Sequence, residues 1–75
     1  MDVKKTLIDI FEENGIFLNQ DEYDTELQLD SIQFVNVIVQ IEETFTITVD
    51  EEYMVQERLP TFHAVLDMVE EAVRL

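Results

Sequence analysis

Apolar residues recur at Val3, Leu7, Ile10 and Phe11, with Ile8 beside them. Spacing of i, i+4, i+7 and i+8 puts them on one face of a helix running from Val3 to about Asn14. Asn14-Gly15 predicts its end, because either residue can adopt the left-handed backbone that closes a helix. Residues 16–29 then read as a long connection. Ile16, Phe17 and Leu18 open it, a polar and acidic stretch follows from Asn19 to Glu26, and Leu27 and Leu29 bring it back to apolar surroundings. Loops of this length are uncommon in a small domain unless anchored, so the flanking hydrophobics predict a segment that packs across the other elements.

The segment from Ile32 to Phe45 fits two periods. Val35, Val37, Val39 and Ile41 alternate with Asn36, Ile38, Gln40 and Glu42, and β-branched residues favour a strand. A helix would instead gather Phe34, Val35, Ile38, Ile41 and Phe45 on one face. Two features decide for the helix. The run is long for a strand. It also opens with Asp30-Ser31-Ile32-Gln33, a capping residue followed three positions later by glutamine, as in a capping box.

Phe45 to Val49 alternates again and predicts a short extended loop with its apolar residues turned inward. Asp50 can cap a short helix over Glu51 to Gln56, whose acids would lie at the positive end of the helix dipole. Thr61, just after Pro60, is a suitable N-cap for a last helix in which Phe62, Val65, Leu66, Val69 and Val73 keep helical spacing. The expected fold is all-α: a four-helix bundle with a long first loop and a short third helix, built as one domain over residues 1–75.

Composition narrows the functions this fold could serve. Seventy-five residues leave no room for separate cofactor and substrate lobes. Apolar residues make up 47% of the chain, enough for a packed core. Cysteine is absent, which removes disulfides, thiolate metal sites and cysteine nucleophiles. No apolar run reaches the ~18 residues of a membrane span. Asp9, Glu12 and Glu13 interrupt any secretory h-region, so a cytoplasmic protein is the default expectation. Eighteen acidic residues against four basic ones give a formal charge of −14. That charge disfavours nucleic acid and anionic membranes, and favours basic protein surfaces or plain solubility.

Few residues could carry chemistry. His63, the one histidine, falls in the first turn of the last helix, far along the chain from the one serine, and reads as a partly exposed helix residue. The carboxylates read as a solvated face rather than a catalytic pair. The acidic stretch Asp21 to Glu26 lacks the ligand order and central glycine of a calcium-binding helical loop. No catalytic residue and no metal ligand is therefore assigned. Ser31 remains. With Asp30 as N-cap, Ser31 stands at the first helical position, where free backbone N–H groups and the helix dipole tolerate a phosphate. By spacing alone, simple membership of the cap is the better account of Ser31, because Asp-Ser-hydrophobic before a helix is common.

The stretch Leu27-Gln28-Leu29-Asp30-Ser31-Ile32-Gln33-Phe34-Val35 resembles the attachment motif of acyl and peptidyl carrier proteins, which carry Asp-Ser-Leu or Asp-Ser-Ile at the start of their second helix. The likeness extends to the length, the acidity, the long first loop and the register of Phe34, Val35, Ile38 and Ile41. It continues through Glu42-Glu43-Thr44-Phe45, then Ile47 and Val49, and on to the threonine at 61. This resemblance implies a carrier rather than an enzyme. A phosphopantetheinyl transferase would attach 4′-phosphopantetheine from coenzyme A to Ser31, beside Asp30. The thiol of that arm would hold acyl or aminoacyl groups as thioesters, so the chain needs neither a cysteine nor a base beside the serine.

The same resemblance makes the second helix a docking face, with Ile32, Gln33, Asn36, Gln40 and Glu43 as its partner-binding positions. The expected partners are the transferase and acyl- or aminoacyl-loading and condensing enzymes, with no nucleic acid, no membrane span and a monomeric chain. Three departures lean toward a specialised pathway of the nonribosomal peptide or polyketide type. The second helix is less acidic near the serine than in fatty-acid carriers, Gln28 stands where glycine is frequent, and Pro60-Thr61 precedes the last helix. The alternatives are a carrier of primary fatty acid synthesis or an unmodified acidic interaction module. Cargo would pack between helices two and three, against Val35, Ile38, Val39, Tyr53, Met54 and Phe62, although ordinary core packing is the better account of each of these residues taken singly.

Overall fold

In the computed structural model, which describes residues 2–54 and 57–74, three α-helices surround one core: α1 (Val3–Glu13), α2 (Ser31–Phe45) and α3 (Phe62–Arg74). No strand occurs among the described residues.

Each helix ends where local chemistry tells it to. The Asp2 side chain caps α1 by accepting from the Lys5 N–H at 3.2 Å. At the other end Gly15 takes φ +80°. The Ile16 N–H then reaches back to the Phe11 carbonyl and the Gly15 N–H to the Glu12 carbonyl, the paired bonds of a Schellman closure. Thr61 Oγ1 accepts from the Ala64 N–H at 3.1 Å and starts α3 as expected.

Leu7, Ile10 and Phe11 from α1 meet Phe34, Val37, Ile38 and Ile41 from α2 and Phe62, Val65, Leu66 and Val69 from α3. Phe62 is fully buried at the centre, edge-on to Phe11 at 5.2 Å and stacked on Tyr23 at 4.6 Å. Aromatic pairs in these arrangements add stabilisation beyond their buried area.

The buried face of α2 differs from the expected one. Val37 lies in the core and Val35 is solvent-exposed. The register Phe34, Val37, Ile38, Ile41 is the i, i+3, i+4, i+7 stripe, whereas Val35 stands about 100° around the helix from Phe34. Val73 is likewise exposed, in the last turn of α3.

The connection between α1 and α2 is anchored, not free. It contains one 3-10 turn, Gln20–Glu22, in which the Asn19 N–H donates to Glu22 Oε1. Tyr23 and Leu27 are buried. The Leu27 N–H donates to the Pro60 carbonyl at 2.7 Å and the His63 N–H to the Tyr23 carbonyl at 3.1 Å, so the loop is tied to the start of α3. Asp24 Oδ1 lies 2.5 Å from His63 Nδ1 and makes a third tie.

The expected short third helix over 51–56 is instead a single 3-10 turn at Glu51–Tyr53, and residues 55 and 56 lie outside the described residues. Among the described residues the bundle has three α-helices, and the expected short helix is represented there by this one 3-10 turn. The Asp50 side chain makes no capping bond there. One uncapped turn does not recover the cost of nucleating an α-helix, and such connectors settle into 3-10 geometry. Ahead of it Ile47 and Val49 turn inward as expected, with the Val49 N–H held by Glu42 Oε2 at 2.9 Å.

Candidate functional site

The N-terminus of α2 is assembled by a reciprocal cap. Asp30 Oδ1 accepts from the Gln33 N–H at 2.7 Å, and Gln33 Oε1 accepts from the Asp30 N–H at 3.3 Å. The Phe34 N–H goes to the Asp30 carbonyl at 3.0 Å. The amides of Ser31 and Ile32 keep no partner among the described residues. Ser31 is exposed, at the first position of the helix, and its hydroxyl makes no hydrogen bond within the described residues. A phosphate ester on that oxygen would meet two free N–H donors and the positive end of the dipole, so the site fits such a group.

The five positions expected to contact partners divide into two sets. Ile32, Asn36 and Glu43 are exposed, and Ile32 is 73% accessible. Gln33 and Gln40 are half-buried and face the end of α1. Gln33 Nε2 donates to the Asn14 carbonyl at 3.2 Å. Gln40 Oε1 accepts from Asn14 Nδ2 at 2.8 Å, and Gln40 Nε2 donates to Glu13 Oε2. Asn14 Nδ2 also donates to the Ile10 carbonyl. This polar seam joins the close of α1 to the cap at Asp30, one residue before the serine.

Sequence reasoning missed three outward apolar residues, Phe17, Val35 and Val39. For Val39 the signal was present: it lies one turn beyond Val35, on the side away from Phe34 and Ile38. The residues expected to line a cargo site do not enclose a common cavity. Ile38 and Phe62 are sealed in the core, while Val35 and Val39 open to solvent. Two recesses near the cap of α2 share Leu29 in their walls, and Ser31 lines neither. One of about 560 Å³ runs along Gln28, Leu29, Asp30, Glu57 and Pro60. Another of about 310 Å³ is bounded by Gly15, Phe17, Leu29 and Gln33. No cluster of three metal-ligating side chains occurs among the described residues, and no described helix is long and apolar enough to cross a membrane.

The structure thus presents one exposed serine at a capped helix N-terminus of a strongly acidic chain. Residues 2–69 match the family described as phosphopantetheine attachment site, and the chain belongs to that family. No curated protein and no solved structure matches it. The family defines a carrier of covalent 4′-phosphopantetheine, not a catalyst, and a protein that works with a phosphopantetheinyl transferase and biosynthetic enzymes. The expected family is confirmed by this match.

Proposed function

We propose that Ser31 is the residue that receives 4′-phosphopantetheine and that the protein carries acyl or aminoacyl groups as thioesters on the arm. The observation that carries this reading is the exposed, unpartnered Ser31 hydroxyl at the first position of an Asp30-capped helix, inside the segment that matches the attachment family. Loading forms a bond from Ser31 Oγ to the pantetheine-side phosphorus of coenzyme A and breaks the pyrophosphate bond to the adenosine half. The hydroxyl proton leaves to a base on the transferase, and the ester's charge rests at the helix N-terminus. The prosthetic group supplies the thiol that the cysteine-free chain lacks.

The exposed part of α2, with Ile32, Asn36 and Glu43, is the docking face in this reading, Gln33 and Gln40 supporting it from behind. The absence of charge between Ser31 and Ile41 supports a specialised pathway of the nonribosomal peptide or polyketide type over primary fatty acid synthesis. The unmodified interaction module is disfavoured by the intact cap and accessible serine. Incubation with coenzyme A and a broad-specificity transferase, read by intact mass, tests attachment. The wild-type chain gains one phosphopantetheine, and Ser31→Ala stays folded and gains none. A wild-type chain that stays unmodified refutes the assignment. Intact mass of the protein from its own cells reads arm and cargo together.

A further inference from the structure

The chain that leaves α2 runs extended beside the last turn of that helix. The Ile47 N–H donates to the Glu42 carbonyl at 3.2 Å, and the Val49 N–H to Glu42 Oε2 at 2.9 Å. In an extended segment, successive residues turn their N–H and C=O groups to opposite sides. The two bonds to Glu42 therefore direct the backbone groups of Thr48 the other way. Neither the N–H nor the carbonyl of Thr48 has a partner among the described residues. The side chains alternate as well: Ile47 is half-buried and Val49 buried, while Thr48 is exposed. Residues 47–49 thus offer a free backbone edge with one complete donor and acceptor pair.

That edge borders a recess of about 420 Å³ between the extended segment and the end of α3. Ile47, Val49, Met68 and Ala72 give the recess apolar walls, and the exposed carboxylates of Asp50 and Glu71 border it. None of the four basic residues of the chain lines it. The two ends of α2 stand about 21 Å apart along its axis, so the recess lies at the far end of that helix from Ser31.

We infer that this recess binds a short extended segment of a partner protein in which basic and aliphatic residues alternate, added as a strand beside Thr48. The residue opposite Thr48 exchanges both backbone hydrogen bonds with it and, like Thr48, turns its side chain to solvent. Its two neighbours point inward beside Ile47 and Val49, toward Met68 and Ala72. Aliphatic side chains fit those inward positions. Basic side chains fit the outward ones, where they meet Asp50 and Glu71 on a chain of charge −14. Main-chain pairing supplies the affinity in such an arrangement, and side-chain alternation supplies the selectivity. Ser31 takes no part, and a partner held here leaves the start of α2 open to other proteins.

The probe is the peptide fluorescein-Arg-Val-Arg-Val-Arg-amide, titrated with the full chain and followed by anisotropy. Wild type binds it saturably with Kd below about 1 mM, and the backbone amide of Thr48 shifts in NMR spectra as it binds. The same peptide N-methylated at its central arginine lacks the N–H for the Thr48 carbonyl and binds at least about threefold more weakly. A reordered peptide, Val-Val-Arg-Arg-Arg, keeps the charge, loses the alternation and weakens as much. Glu71→Lys raises Kd at least about threefold, whereas Glu12→Lys, the same charge change on the exposed side of α1, stays within about twofold. Thr48→Pro removes the donor on the protein side and weakens binding, with its fold checked by helical circular dichroism. The peptide variants leave the protein untouched, so they decide the matter even where Thr48→Pro fails to fold. Absence of saturable binding by about 1 mM, or equal binding of the N-methylated or reordered peptide, overturns the strand-addition site. Glu12→Lys acting as strongly as Glu71→Lys overturns it too, since charge alone would then explain the binding. A wild-type chain whose mass doubles by light scattering, and which Thr48→Pro returns to the single mass, makes a second copy the occupant and overturns the basic partner.

Discussion

Replacing Asp30 separates the cap that builds the site from the charge that accompanies it. In Asp30→Ala the Gln33 N–H loses its 2.7 Å acceptor. Removing an N-cap acid costs about 0.5–2 kcal/mol. Asp30 is exposed, so water can replace the lost acceptor, and the bond from the Asp30 N–H to Gln33 Oε1 survives because it belongs to the backbone. Both facts favour the lower half of that range, about 1 kcal/mol. In a domain of this size that lowers Tm by about 4–8 °C. Asp30→Asn keeps the cap, because asparagine serves there as well as aspartate. It forfeits a favourable dipole contact of about 0.3–1 kcal/mol, and relieves self-repulsion on a chain of charge −14, so the two nearly cancel. Thermal melts should therefore order wild type and Asp30→Asn together above Asp30→Ala. Loading of Ser31, followed by intact mass, is slower in Asp30→Ala, and any loss in Asp30→Asn belongs to the charge alone. An Asp30→Ala melt within about 2 °C of wild type, or Asp30→Asn falling as far as Asp30→Ala, refutes this account of the site.

Two further perturbations test the scaffold. Phe62→Ala removes the ring between Phe11 and Tyr23 and costs about 3–5 kcal/mol; urea titration should show most of the domain's stability gone, and a shift of less than about 1 kcal/mol would contradict the packing described. Gly15→Ala meets no atom within 4 Å and still destabilises by about 1 kcal/mol, because φ is +80°. Thr46→Gly acts in the opposite direction, relieving a β-branched residue held at φ 55°, and raises Tm. Equal behaviour of the two would show that backbone handedness is not what limits these helix ends.

Most of this architecture was legible because helix ends carry local signals. Asp30 with Gln33, Thr61, and Asn14-Gly15 each specify their bond within a few residues, and each occurs where the sequence placed it. The serine was legible for the same reason, since its position follows from the cap. What escaped the sequence depended on rotation and on long-range contacts. One residue of phase separates a buried Val37 from an exposed Val35, and a run of valines and isoleucines does not announce which faces inward. Phe17 belongs to an apolar triplet, Ile16-Phe17-Leu18, whose outward member only the extended backbone reveals. The expected short third helix is a single 3-10 turn over Glu51–Tyr53 as far as the described residues reach, because acids suited to a helix start do not by themselves make more than one turn.

The same rotation gives the two flanks of α2 different work. Gln33 and Gln40 look like surface residues in the sequence, and both lie on the flank that faces α1, where Asn14 joins them. Their amides are spent on that seam, while Ile32, Val35 and Val39 stand exposed on the side of the helix turned away from it. A helix with glutamines on one side and aliphatic residues on the other can be held firmly by hydrogen bonds whose direction is fixed, while presenting a surface with no fixed polar pattern of its own. Such a surface suits a carrier, which must meet several enzymes in turn. Apolar contacts are non-directional, so successive partners can fit the same patch, whereas a patterned polar face would favour one of them.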